Sequence, residues 1–167
     1  TLDNLHTNDP VSAASIRENF AYWDDIALHF RGERLVSTGH GFCGIGRKKL
    51  LMLLQERAHS LGVDLRYETE VESAESYRGE YDIVVANDGL NSKTRMLYKD
   101  TFKPAVDERL CQFVWLGTHQ TFKDAFTFIF EETEHGWVWV HAYQFDGNTA
   151  TFIVECTQKT FDAWGFG

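Results

Sequence analysis

An acidic residue and a glycine follow a hydrophobic run near the middle of this chain. Residues 82–86 read Asp-Ile-Val-Val-Ala, a pattern that predicts a buried strand of the kind found in parallel sheets. Asp88 and Gly89 come directly after it, at the carboxyl end, where open α/β sheets hold their ligands. Gly89 allows the backbone to turn sharply and a ligand to come close. The segment therefore predicts a ligand-binding turn.

The residues after this turn predict the start of a helix that favours an anion. Ser92 can cap a short helix predicted over 93–99. The free N–H groups of such a helix attract a phosphate, and Arg95, one turn later, adds a charged fork. The same residues also fit a capped strand–turn–helix with a surface arginine. The residues by themselves leave both interpretations open.

A second glycine-bearing segment offers a competing nucleotide site. Residues 39–44 read Gly-His-Gly-Phe-Cys-Gly, a literal G-x-G-x-x-G before a predicted helix, and Glu68 lies far enough downstream to reach a ribose. However, the preceding strand, predicted over 34–37, is short and charged, whereas a dinucleotide-binding strand is buried and apolar. A stand-alone NAD-binding module using this loop is one alternative function. A flexible loop leading into a helix is the simpler interpretation.

An aromatic strand is the third candidate. In the strand predicted over 137–145, Trp137, Trp139, His141 and Tyr143 alternate with small apolar residues and share one face. That face predicts a pocket for a flat substrate or packing against a helix. A surface that docks a partner, as in a non-catalytic interaction domain, is the second alternative function.

The elements that must position these residues change in character along the chain. Leucines at helical spacing predict a helix over 47–61 that ends at Gly62. A hairpin is predicted from 26–30 and 34–37, and further strands are predicted at 63–67, 70–76 and 81–86. After Pro104, four segments rich in β-branched and aromatic residues predict an antiparallel meander, at 110–119, 125–131, 137–145 and 149–156. The fold class is therefore α/β (α+β), with a border near residue 103.

Composition narrows the function classes. The 167 residues carry a formal net charge of -9, which argues against a nucleic-acid or anionic membrane partner. No apolar run approaches the length of a transmembrane helix, and we expect a cytoplasmic protein. The three cysteines form no C-x-x-C, and the seven histidines show no metal-ligand spacing, so we expect no metal site. No side chain is assigned a catalytic role.

The segment Asp-Ile-Val-Val-Ala-Asn-Asp-Gly-Leu-Asn-Ser-Lys-Thr-Arg resembles a motif of the class A flavoprotein monooxygenases, the family of para-hydroxybenzoate hydroxylase. Asp88, Gly89, Ser92 and Arg95 match every fixed position of that motif. The upstream helix led by Arg47 is similar to the family's arginine-led helix. The resemblance spans roughly residues 40–157, and it includes the aromatic strands.

The resemblance implies an FAD-dependent hydroxylase of aromatic compounds that uses NAD(P)H and O2. It implies that Arg47, Asp88, Gly89, Ser92 and Arg95 contribute to the FAD site. The family architecture implies a partial FAD-binding, Rossmann-like βαβ domain over 1–103, in which 24–38 begins the substrate-domain hairpin. A partial substrate-binding antiparallel sheet follows over 104–167. Within the family, the chain resembles the branch with CoA-thioester and tryptophan-derivative hydroxylases. This resemblance implies a small aromatic substrate, and CoA thioesters are among the substrates that it implies.

Two parts of the family pattern are missing from these residues. The strand with G-x-G-x-x-G that holds the ADP diphosphate would precede Thr1, and a later Gly-Asp motif would follow Gly167. We therefore expect an internal piece of the enzyme, inactive alone, that binds FAD weakly or not at all.

Overall fold

The computed structural model describes residues 2–166. They form two compact units. The first combines residues 2–63 with residues 110–166, and the second contains residues 64–109. The first unit is therefore discontinuous in sequence, with the second inserted into it. The family resemblance divides the chain differently, into an FAD-binding part (1–103) and a substrate-binding part (104–167). That division stays a prediction.

The first unit contains four helices and eight strands among the described residues. The helices are α1 (Leu2–Asn8), α2 (Pro10–Arg17), α3 (Arg47–Ser60) and α6 (Gln158–Ala163). The strands are β1 (Ala21–Trp23), β2 (Asp25–Phe30), β3 (Glu33–Ser37), β4 (Phe42–Gly44), β5 (Cys111–Thr118), β6 (Ala125–Thr133), β7 (Gly136–Gln144) and β8 (Ala150–Thr157). The predicted hairpin, the helix that Arg47 begins and the four aromatic strands are all confirmed. Within residues 2–166, no helix combines the length and hydrophobicity that a bilayer-spanning segment requires.

Six of the strands form one mixed sheet in the order β3-β2-β6-β7-β8-β5. β2 runs parallel to β6, and every other neighbouring pair is antiparallel. The predicted four-strand meander is correct for β6, β7 and β8 but wrong for β5, which pairs with β8. Since a strand has two edges and β2 and β7 occupy those of β6, β5 takes the free edge of β8.

The two faces of this sheet differ in chemistry. On one face Val140, Ala142 and Val154 are buried and form the hydrophobic core, with further apolar side chains packed against them. The opposite face carries the aromatic residues of β6 and β7. This alternation follows from the period of two along each strand. The α/β (α+β) class predicted from sequence is confirmed. The sheet differs from the predicted antiparallel meander because β2 joins it by a parallel pairing with β6.

The second unit is mainly irregular. It contains a 3₁₀ turn (Ala74–Tyr77) and the short helices α4 (Lys93–Leu97) and α5 (Lys99–Phe102). The strands predicted at 63–67, 70–76 and 81–86 are absent from the structure, and within residues 64–109 the backbone makes one isolated bridge. Val85, expected to be buried, is 74% exposed. A strand needs a neighbouring strand to satisfy its N–H and C=O groups. Among the described residues, the only bridge to 81–86 is the isolated one between Arg78 and Tyr81.

Candidate functional site

The turn around Asp88 is organised by hydrogen bonds to its carboxylate. Ser92 donates its hydroxyl to one carboxylate oxygen at 2.5 Å, and the backbone N–H of Thr94 donates to the other at 3.2 Å. These bonds stabilise the charged form, so the pKa of Asp88 lies below its usual value. Asp88 therefore presents a fixed anionic carboxylate at neutral pH.

Ser92 and Arg95 close the same turn from the other side. Ser92, only 5% exposed, accepts the backbone N–H of Arg95 at 2.9 Å and so caps α4. The guanidinium of Arg95 donates to the carbonyl of Gly89 at 3.1 Å and also to that of Leu90. Gly89 has φ of 77°, a left-handed conformation that favours glycine. Because a guanidinium has five donors, Arg95 retains capacity to bind an anion.

All four predicted residues of this unit line one cleft. Asp88, Gly89, Ser92 and Arg95 lie on the wall of a cleft of about 1010 Å³ within the second unit. A carboxylate accepts hydroxyl groups and a guanidinium binds phosphate, so the cleft carries donors and acceptors suited to a nucleotide. The structure thus brings together the residues that the sequence motif singled out.

Arg47, the fifth predicted cofactor residue, lies in the first unit at the beginning of α3. It lines a cavity of about 820 Å³ together with Lys48, Lys49 and Lys123, which we call the lysine cavity. Gly46, at the N-cap position of α3, has no side chain that could cap the first N–H groups of the helix. Cations and helix N–H groups both favour an anionic ligand.

Two further residues of the lysine cavity were not identified from sequence. Trp23 and Gln144 also line it, and they are 7% and 6% exposed. Among the described residues, the indole Nε1 of Trp23 and the Oε1 of Gln144 have no hydrogen-bond partner. Buried polar atoms are normally bonded, so both are candidates for ligand contact. No local sequence signal marks them, because their proximity depends on the pairing of distant strands.

The glycine-rich loop, by contrast, is occupied by a side chain of its own unit. The carboxylate of Asp24 accepts the N–H of Gly39 and the N–H of Gly41, each at 3.0 Å. These amides are therefore bound to an anionic group and would place a phosphate against a carboxylate. This geometry argues against the loop as the phosphate cradle of an NAD-binding module.

The predicted aromatic face is formed by stacked side chains from neighbouring strands. Trp137 stacks on Phe30 with ring centroids 6.0 Å apart, and Trp139 stacks on Phe130 at 5.7 Å. The rings of Trp139 and His141 are 4.5 Å apart. The three predicted pocket residues thus lie along one row of β7, and the two tryptophans remain partly exposed.

A smaller cavity of about 430 Å³ opens on this face, and we call it the aromatic cavity. It is lined by aromatic and aliphatic side chains that include Trp23, Phe42, Phe126, His141, Tyr143 and Ile153. The Nε2 atom of His141 is buried and has no hydrogen-bond partner among the described residues, and a carboxylate oxygen of Glu155 lies 3.8 Å away. Trp137 and Trp139 lie outside this lining.

Comparison with known sequences identifies relatives of one chemical type, although no protein-family model matches the chain. Salicyloyl-CoA 5-hydroxylase of a Streptomyces species is 39% identical over 118 residues, covering 71% of this chain and 23% of that protein. Protodeoxyviolaceinate monooxygenase of Chromobacterium violaceum is 33% identical over 119 residues, covering 69% and 32%. A 3-hydroxy-4-methyl-anthranilyl-[aryl-carrier protein] 5-monooxygenase of Streptosporangium sibiricum is 28% identical over 109 residues, covering 65% and 30%. The chain therefore spans about a quarter to a third of the length of these relatives.

Comparison with solved structures agrees on the fold. The structure of PqsL from Pseudomonas aeruginosa, described as a probable FAD-dependent monooxygenase, matches 97% of this chain and 50% of its own, with a TM-score of 0.66 and 10% identity. At that identity the match establishes the fold alone. Taken with the sequence relatives, it confirms the resemblance predicted from the Asp88 motif: the chain is a homologue of part of the aromatic-hydroxylating monooxygenases.

Proposed function

We propose that this chain is part of an FAD-dependent monooxygenase that hydroxylates an aromatic substrate with NAD(P)H and O2 in the cytoplasm. The observation that carries the proposal is the turn in which Ser92 and Thr94 hold the carboxylate of Asp88 while Arg95 closes onto Gly89. The relatives, whose names describe aromatic monooxygenases, support the same reaction class. When bound, FAD supplies electron transfer from NAD(P)H and the activation of O2.

The residues of the Asp88 turn suit an FAD group chemically. The carboxylate of Asp88 is held in its charged form and can accept hydroxyl groups of the ribityl or ribose part. Arg95 retains guanidinium donors for a diphosphate oxygen, and Gly89 carries no side chain to obstruct the approach. The role of Arg47 in cofactor binding stays a prediction from the family resemblance.

The aromatic face is proposed to hold the ring that is hydroxylated. The aromatic cavity has a volume suited to a single ring and walls of stacked aromatic side chains. His141 presents a ring nitrogen without a hydrogen-bond partner there, and Trp137 and Trp139 extend the face along β7. These side chains orient a flat substrate and exclude water. CoA thioesters are included among the candidate substrates because one relative acts on salicyloyl-CoA.

Replacing Asp88 in the full-length enzyme tests the proposal. Asp88→Ala removes the fixed carboxylate, so we expect the Kd for FAD to rise about tenfold, the equivalent of one hydrogen bond to a charged group. The rate of flavin reduction by NAD(P)H, followed by stopped-flow absorbance, should fall as well. Asp100→Ala is the control, since Asp100 lies on α5 outside the cleft lining. Unchanged FAD retention and unchanged reduction kinetics in Asp88→Ala would remove the basis of the assignment.

The 167-residue chain alone is expected to bind FAD weakly or not at all. It spans about a quarter to a third of the length of its relatives, so a cofactor site built along the whole enzyme would be only partly present in it. A flavin titration of the chain that gave tight, stoichiometric binding would contradict this expectation.

A further inference from the structure

We propose that Trp23 is a specificity-determining residue, whose indole closes the aromatic cavity at one end and so limits the length of the aromatic group that the cavity admits. The inference rests on the proposed function, because it takes the aromatic cavity as the site of the ring that is hydroxylated. It goes beyond that function by assigning the limit of this site to one side chain, at the end of β1.

The position of Trp23 makes it a partition between two cavities. Trp23 lines both the aromatic cavity, of about 430 Å³, and the lysine cavity, of about 820 Å³. Its side chain is nevertheless only 7% exposed, so the indole fills the space between the two cavities. Among the residues that line the aromatic cavity, Ile45 is the other one that also lines the lysine cavity. A smaller side chain at position 23 would therefore lengthen the aromatic cavity toward its neighbour.

The indole of Trp23 is held in place from several sides. It stacks on Phe42 of β4 with ring centroids 6.4 Å apart and on Tyr143 of β7 at 6.0 Å. It also packs directly on the backbone of β4, since a Cβ atom added to Gly44 would lie 2.9 Å from the Cη2 atom of Trp23. Close packing of this kind resists displacement, so a ligand cannot lengthen the cavity by pushing the indole against β4.

The polar atom of the indole argues against a role in packing alone. Within residues 2–166, the Nε1 atom of Trp23 is buried and has no hydrogen-bond partner, whereas buried indoles usually have one. A phenylalanine at the same position would stack on the same rings and would introduce no unbonded N–H group. Closure of the aromatic cavity gives a physical reason for the larger ring system of tryptophan.

Two phenols of different length test the assignment without any flavin. Isothermal titration calorimetry compares the binding of phenol, which has one ring, with that of 4-phenylphenol, which has two rings end to end. Trp23→Phe removes one ring of the indole and keeps an aromatic side chain for stacking. We expect the ratio of the Kd for 4-phenylphenol to the Kd for phenol to fall about tenfold in this variant, because a steric conflict is relieved, while phenol binding is retained.

Trp164→Phe is the matched control, because it makes the same change at an exposed tryptophan that lines neither cavity. Its ratio of Kd values should equal that of the wild type. Circular dichroism checks that both variants keep the sheet. An unchanged ratio in Trp23→Phe, or an equal fall in both variants, would overturn the assignment.

A second measurement needs no variant at position 23. In the wild-type chain, the indole N–H resonance of Trp23 should shift in NMR spectra when 4-phenylphenol is added, and that of Trp164 should not. An unmoved Trp23 resonance in the presence of bound 4-phenylphenol would overturn the assignment, as would phenol that does not bind the wild-type chain. If Trp23→Phe changes the ratio as expected while Asp88→Ala retains FAD, the role of Trp23 stands and the proposed function fails.

Discussion

Replacing Ser92 with alanine should loosen the Asp88 turn by a measurable amount. The Ser92 hydroxyl accepts the N–H of Arg95 at 2.9 Å and donates to Asp88 at 2.5 Å, so one substitution removes both bonds. Loss of an N-cap serine costs about 1 kcal/mol. Because α4 has only five residues, it has little stability of its own to offset that loss. We therefore expect α4 to open about fivefold more often.

Amide hydrogen exchange measured by NMR reports this opening directly. In Ser92→Ala the N–H of Arg95 should exchange about fivefold faster than in the wild type. The pKa of Asp88 should rise toward its ordinary value, because the hydrogen bond from the Ser92 hydroxyl is the main interaction that lowers it. Ser73→Ala is the control, since Ser73 caps the 3₁₀ turn of the same unit by accepting the N–H of Glu75 at 3.2 Å. An unchanged rate at Arg95 in Ser92→Ala, or equal acceleration in both variants, would refute the reasoning.

Two further predictions concern the first unit. Arg57 donates to the carboxylate of Asp9 and lowers its pKa to about 2, below its unfolded value, so this stabilisation is complete above about pH 4 and is lost as the pH falls through 2. The stability difference between wild type and Arg57→Gln in urea melts should therefore shrink from pH 5 to pH 2; a constant difference would exclude the linkage. Thr160, 2% exposed, donates its hydroxyl to the carbonyl of His135 at 2.9 Å. Thr160→Val should cost about 1 kcal/mol and lower Tm by about 2 to 4 °C in calorimetry, whereas Thr121→Val at an exposed site should leave Tm unchanged.

The sequence predicted those elements whose structure depends on residues close together in the chain. Alternating aromatic residues predicted β6 and β7, and leucine spacing predicted α3 to within one residue of its observed end. The Asp88 turn was also predictable, because a serine four residues after an aspartate can both cap a helix and bond the carboxylate. Each of these features depends on residues close together in the chain.

The features that sequence did not reveal depend on distant pairing. The position of β5 beside β8 follows from β2 occupying the edge of β6, which no local pattern encodes. The segment 81–86 has the composition of a strand but has no neighbour with which to form one among residues 64–109. The lysine cavity needs Trp23 and Gln144 to meet beside α3, although they lie on opposite sides of the inserted unit in sequence.

The parallel pairing of β2 with β6 has a consequence for how the polypeptide reaches its native state. Residues 25–30 cannot form their parallel pairing until residues 125–130, about a hundred positions later in the chain, are available. Contacts of such long range slow folding, since the intervening chain must be ordered or looped out first. During synthesis, the hairpin of β2 and β3 is therefore made before its partner strand and has one edge unpaired. That edge is the place where premature association between nascent chains would begin.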